Sequence, residues 1–254
     1  MIAYYGFYIF KYKSDKLGKF GPVLLIGLTG LLTVIGFIFT SNMTSMLTPQ
    51  HWQAILQSHP HGLYLNTTEP TVWPRYAFFW FEAFVIGGLT AGCYGLFYKK
   101  RDAEYSNWLI KLGAKIFIPA LLLQVTSGYF WLQTIPVDVT HRLIAAQFGQ
   151  NWSVIIAVAL LVIALLAQLR LFVKPSARLF IVALTTSALA VLDVAVFRHL
   201  LRVAYTQPFI HPETLPVSWQ WDLLIPFLIL AVGLIIYLVW LIRETYISFL
   251  PSST

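Results

Sequence analysis

The chain has 254 residues, 58% of them hydrophobic and 11% charged, with a mean hydropathy of +0.73. Soluble domains carry about 25% charged residues, so a water-soluble domain is excluded and an integral membrane protein is read instead. The net charge of +7 would point to nucleic acid in a soluble protein. Here it is read as loop charge that orients the chain, and no nucleic-acid partner is expected. A lone cysteine, Cys93, excludes a disulfide framework, and without a CxxCH motif any haem would be non-covalent.

The opening "MIAYYGFYIF" lacks the basic start and small-residue cleavage site of a signal peptide. It is apolar and aromatic but too short to span, so it reads as half a helix. A hydrocarbon core about 30 Å thick needs about 20 apolar residues per helix. Five stretches qualify, 20–42, 74–98, 107–133, 151–173 and 178–204, and a sixth, 220–242, follows a Pro-containing loop. The predicted fold is an all-α polytopic transmembrane bundle in one membrane domain, residues 1–254. It has six spans and an N-terminal half helix.

Alternating spans place thirteen lysines and arginines at one end and only Arg75, Arg142, Arg198 and Arg202 at the other. This positive-inside bias makes the lysine-rich end cytoplasmic, in a bacterial inner membrane. All six histidines, His51, His59, His61, His141, His199 and His211, then fall outside. Insertion physics does not account for that distribution, so the outer loops 43–73, 134–150 and 205–219 and the adjoining helix ends are where polar chemistry is expected.

In the first outer loop, Pro49 to Gln57 reads as a short helix capped by Thr48, lying at the interface with Trp52, Ile55 and Leu56 down. His59-Pro-His61 is a weak metal signal without a third ligand, and a packed surface loop is favoured. Gly87-Gly88 and Gly92 are expected to allow close helix packing. Glu82 and Asp193 lie roughly eight and six residues inside their outer helix ends, where a carboxylate costs about 2.5 kcal/mol or more. They read either as proton groups linked to a quinone or as neutral structural acids. At the end of the fifth span, "VFRHLLRVAY" sets Arg198 and Arg202 one turn apart with His199 beside them. One reading is a haem ligand, His199, with arginines on propionates or a quinone oxygen; the other is snorkelling of helix-end arginines to lipid phosphate. His141 is a further cofactor-binding candidate at the same outer side.

The segments "MTSMLTP" and "EPTVWPRYAFFWFEAFVIGGLTAGCYGLFYKKRD" resemble the central part of subunit I of cytochrome bd-type quinol oxidases, and more closely their divergent bd-like relatives. The similarity runs through nearly the whole chain in order and spacing. It implies a chain that lacks the family's first two and a half helices, a second membrane chain that supplies them, and redox partners such as a c-type cytochrome. The family's low-spin haem ligands would fall at Phe78 and near Ala157, neither of which can bind iron, and the long quinol-binding loop is replaced by 134–150. In one register the family's Glu-x-x-Arg motif falls on His199 and Arg202 with Tyr205 at the aromatic position. In another, Gln207-Pro208-Phe209 matches and Val203 takes the ligand position. The first register is preferred because it accounts for a buried His–Arg pair, with His199 then ligating the metal of a b-type haem.

The resemblance thus implies a membrane subunit of a respiratory electron-transfer complex, passing electrons between the quinone pool and an outer-side cytochrome, with one b haem, a quinone, or neither held in this chain. The alternative is a haem-free anchor for redox subunits. A transporter is disfavoured, because no inverted repeat or pair of Gly/Pro-broken helices marks one.

Overall fold

The computed structural model describes residues 1–62, 64–145, 150–211, 214 and 220–248. Among them the chain is helical with no strand. In order come α1 (Ile2–Leu17), α2 (Phe20–Ser45), a 3-10 turn (Pro49–His51) leading into α3 (Trp52–Ser58), α4 (Val72–Tyr98), α5 (Ala103–Gln133), α6 (Val137–Ala145), α7 (Gln150–Val173), α8 (Ala177–Thr206) and α9 (Trp221–Ser248). Six of these, α2, α4, α5, α7, α8 and α9, are long and apolar enough to cross a membrane. The chain is therefore an all-α, multi-pass bundle whose outer surface is suited to lipid contact.

The half helix is longer than expected. α1 continues to Leu17 across a kink at Lys13 (φ −127°). Gly18, at φ +46°, then reverses the chain, a backbone state that glycine enters without steric cost. α1 lies antiparallel on α2, with Gly6 seated on Leu28 and Phe10 against Gly21. Its other face carries Tyr4, Tyr8 and Tyr12, exposed, with successive ring centroids 4.9 and 6.0 Å apart.

α4 and α5 are joined by a turn that ends where the Asp102 carboxylate accepts the Tyr105 N–H at 2.9 Å, an N-cap. The two helices then run backbone to backbone. A Cβ on Gly88 would sit 2.7 Å from the Gly113 carbonyl oxygen, and one on Gly95 would sit 2.9 Å from the Ser106 carbonyl oxygen. Gly92 faces the Phe180 ring of α8, whereas Gly87 faces open space. The expected close packing thus belongs to Gly88 and Gly92 and not to Gly87. Small residues let backbones approach where lipid offers no hydrophobic force between helices.

At the lysine-rich end α5, α7 and α8 meet in one packed cluster of Ile110, Ala114, Ala167, Leu171, Phe180 and Ala183. Toward the histidine-bearing end Phe78 of α4 and Trp131 of α5 pack with Phe197, Leu200 and Leu201 of α8.

Polar bonds tie α2 to α4 and to the loop before it. The Tyr76 hydroxyl of α4 donates to the Thr33 carbonyl at 2.9 Å, and the Asn66 N–H of the loop donates to the Ser41 hydroxyl at 2.7 Å. Phe37 packs on Trp73 and Tyr76. A bond of this kind contributes about 1 kcal/mol. Tyr76→Phe is therefore expected to lower the stability of the detergent-solubilised protein by about that much in thermal unfolding. Trp80→Phe, which breaks a longer exposed contact of 3.4 Å to Thr33, leaves stability unchanged.

Two local expectations change. The short helix after Thr48 is present, but Thr48 does not cap it. Its hydroxyl turns back to the Ser45 carbonyl at 3.3 Å, while its own carbonyl receives the His51 N–H at 3.0 Å. The stretch 134–150 contains an amphipathic helix, α6, which docks on α8 through Val139 and Leu143, with Ile135 just before it, against Leu201, Ala204 and Tyr205. Arg142 fastens it, donating to the Ala204 carbonyl at 2.8 Å and pairing with Asp138 at 2.6 Å.

Candidate functional site

A cavity of about 650 Å³ is walled by α4, α5, α7 and α8. Its surface is almost wholly apolar, with Phe78, Phe117, Trp131, Leu161 and Phe197 among the lining side chains. The exceptions are few: Glu82 of α4, Gln124 of α5, and Ser187 and Asp193 of α8. Val125, Tyr129, Val158 and Leu192 also line it and are largely exposed, so the mouth opens sideways on the bundle surface.

The helical register explains the two acids. Along α4, positions 75, 78, 82, 85, 88 and 92 recur at three- to four-residue spacing, and all are buried or half-buried. A carboxylate at 82 therefore faces inward by the same 3.6-residue period that turns Val85 and Gly88 inward. Along α8 the inward series 187, 190, 194, 197 and 201 passes beside Asp193. Both acids are half-buried. Glu82 is the eleventh residue of α4, and Asp193 lies thirteen residues before Thr206, because α8 continues unbroken past its arginines. Both are thus deeper than the sequence spacing implied. The two acids, read separately in the sequence, share one cavity with Gln124 and Ser187, whose part the sequence did not reveal.

The cavity also contains Phe78 and Ala157, the two positions to which the bd-like resemblance assigns iron ligands. No histidine, methionine or cysteine lines it. A b haem spanning this space on the usual nitrogen and sulfur ligands does not fit these side chains.

The "RHLLR" segment lies at the histidine-bearing end of α8, and the expected burial of a His–Arg pair is not found. Arg198, His199 and Arg202 are all exposed. Their phase on the helix is the reason. At about 100° per residue, His199 stands about 200° from the inward-facing Phe197 and Leu201, while Arg198 and Arg202 share a flank. Arg198 reaches across to α2, donating to the Met43 sulfur at 3.4 Å. His141 is exposed on α6, the face turned away from Val139 and Leu143. In the first outer loop His59 contacts the Ser58 hydroxyl at 2.9 Å and the edge of the Tyr64 ring. Among the described residues no group of three metal-ligating side chains assembles.

Sequence reading counted Arg75 only as an outer-side charge and missed its setting. It is 5% exposed. Its guanidinium lies over the Trp131 ring, 4.9 Å from the centroid, and Nη1 donates to the Thr44 hydroxyl at 3.3 Å. Trp131 also forms part of the cavity wall. The signal was available, since Arg75 belongs to the inward series of α4.

A smaller cleft of about 360 Å³ is lined by Thr48, His51, Glu69, Asp138, Arg142 and Tyr205 among others. The chain matches no protein-family model, no curated protein and no solved structure.

Proposed function

We propose that the chain is the quinone-binding membrane subunit of a respiratory electron-transfer complex, related to the bd-like cytochromes, with the redox-active iron carried by partner chains. The observation that supports this most is the cavity that joins Glu82 and Asp193 inside an otherwise apolar wall. Pockets for small molecules combine apolar walls with a few placed polar groups. A lipophilic quinone suits such a space, reached sideways from the hydrocarbon phase.

A quinol that becomes a quinone gives up two electrons and two protons. In this reading Glu82 and Asp193, as carboxylates, accept one proton each, with Gln124 and Ser187 as hydrogen-bonding groups for the ring oxygens. The two electrons leave to a partner redox centre, of c-type cytochrome class, at the histidine-bearing end, which is taken as the outer face of a bacterial inner membrane. This chain's residues bind and orient the ring, exclude water and hold protons. A role for His199 as an iron ligand requires a haem held between α8 and another chain, since the side chain points away from its own bundle. The uncovered tyrosine face of α1 fits the idea of a second membrane chain beside it.

The test is binding of a radiolabelled short-chain quinone to the purified full chain in detergent. One equivalent is expected to bind, and Ala188→Trp is expected to weaken binding at least about tenfold, a loss of about 1.4 kcal/mol. Ala188 lines the cavity yet is exposed, so an indole there fills the space without entering the packed core. Absence of quinone binding to the wild-type chain overturns the reading, and so does equal binding to the variant.

A further inference from the structure

Arg75 carries an unanswered charge. Its Nε and Nη2 atoms are buried and have no hydrogen-bond partner, while Nη1 alone is engaged. Among the described residues no carboxylate pairs with Arg75 at salt-bridge distance. A buried cation without a partner is strongly unfavourable. The two unengaged atoms are also the ones that matter for recognition. Nε–H and the adjacent Nη2–H lie along one edge of the planar guanidinium, the fork that receives two oxygens of a carboxylate or phosphate.

Two more buried donors nearby lack partners, the Trp131 indole Nε1–H and the Tyr205 hydroxyl. Trp131 and Tyr205 belong to one packed cluster beside Arg75. Glu69 and Arg198 lie close enough for their charges to bear on it. Four orphan donors in one neighbourhood exceed what the surrounding protein supplies in acceptors. Arg75 is the fourth residue of α4, in the first turn of a helix long enough to span a membrane, where head groups are expected. Phosphate is the abundant oxyanion at that level, and basic pockets between membrane helices take lipid head groups.

We propose that the Nε–Nη2 edge of Arg75 is the seat of a bound phosphate group, from a phospholipid head or free phosphate, completed by the Tyr205 hydroxyl and the Trp131 N–H. This site stands independently of the quinone reading, since it uses a different set of polar groups.

The test is thermal unfolding of the delipidated full chain in neutral detergent, titrated separately with phosphatidylglycerol, inorganic phosphate and phosphate-free diacylglycerol. Phosphatidylglycerol is expected to raise the wild-type midpoint by about 5 °C, with no effect of diacylglycerol. Arg75→Gln is expected to lose that rise and, without ligand, to melt above the wild type, because an unpaired buried charge has been removed. Arg75→Lys keeps the charge without the fork and is expected to retain less than half of the rise. A rise with inorganic phosphate identifies free phosphate as a sufficient source. A rise with phosphatidylglycerol alone assigns the site to lipid. No rise with either, or equal rises in wild type and Arg75→Gln, overturns the proposal. Should Arg75→Gln fail to fold, Tyr205→Phe decides instead: a reduced rise supports the site and an unchanged one refutes it.

Discussion

Quinol oxidation by membranes that contain the assembled complex is expected to fall about 100-fold or more when Glu82→Gln and Asp193→Asn are combined. Both changes are near-isosteric, so the cavity keeps its shape and still accepts a quinone ring. What disappears is the capacity to take up a proton, and a positioned base contributes about 10²–10⁴-fold to such a step. The single variants are expected to lose less, because the two acids line one cavity and one can serve while the other is neutral. Asp138→Asn provides the control, since Asp138 lies in the outer cleft and pairs with Arg142. The measurement is the initial rate of quinol-dependent acceptor reduction at saturating quinol, with bound quinone assayed on the same membranes. Full activity in the double variant removes the carboxylates from the reaction.

The largest effect on folding is expected at Gly88. A side chain there has to enter space already held by the Gly113 carbonyl oxygen, 2.7 Å from the Cβ position, and by the Phe117 backbone nitrogen at 3.0 Å. Backbone atoms of a helix cannot swing aside as a flexible side chain does, so α4 and α5 must separate. Gly88→Leu is expected to cost about 3 kcal/mol or more, read as a lower thermal midpoint and loss of monodisperse protein in detergent. Gly87→Leu, one residue away, meets nothing within 4 Å. It is expected to be neutral or slightly stabilising, since leucine is the better helix former. The contrast between neighbours separates packing from propensity. It also bears on function, because α4 and α5 carry Glu82, Gln124 and Trp131 to the cavity.

Much of the architecture was legible in the sequence because bilayer thickness acts on long windows. The six spans stand within a few residues of where apolar length put them. Their ends were less legible, since they depend on single contacts. The Asp102 cap lengthens α5 to begin at Ala103, and the Thr48 hydroxyl bonds backward to Ser45 in place of capping. α6 escaped notice because its nine residues are too short for a span-length window, although Val139 and Leu143 stand four residues apart and continue the spacing of Ile135 just before it. The acids were found by their cost in lipid, a property of each residue alone. That they line one cavity is a property of helix rotation. The same rotation misled the reading of "RHLLR". Composition at a helix end marks polar residues, but only phase against Phe197 and Leu201 reveals that His199 faces out.

α9 has no buried residue in its whole length, and Lys100 lies over its Tyr246 ring, 5.6 Å from the centroid. Whatever shapes the cavity is complete before Trp221 is reached. The last helix is thus free to serve as a handle. Shortening it, or fusing cargo beyond it, leaves the ligand chamber undisturbed, and losses from such changes register in how the protein joins its neighbours rather than in how it folds.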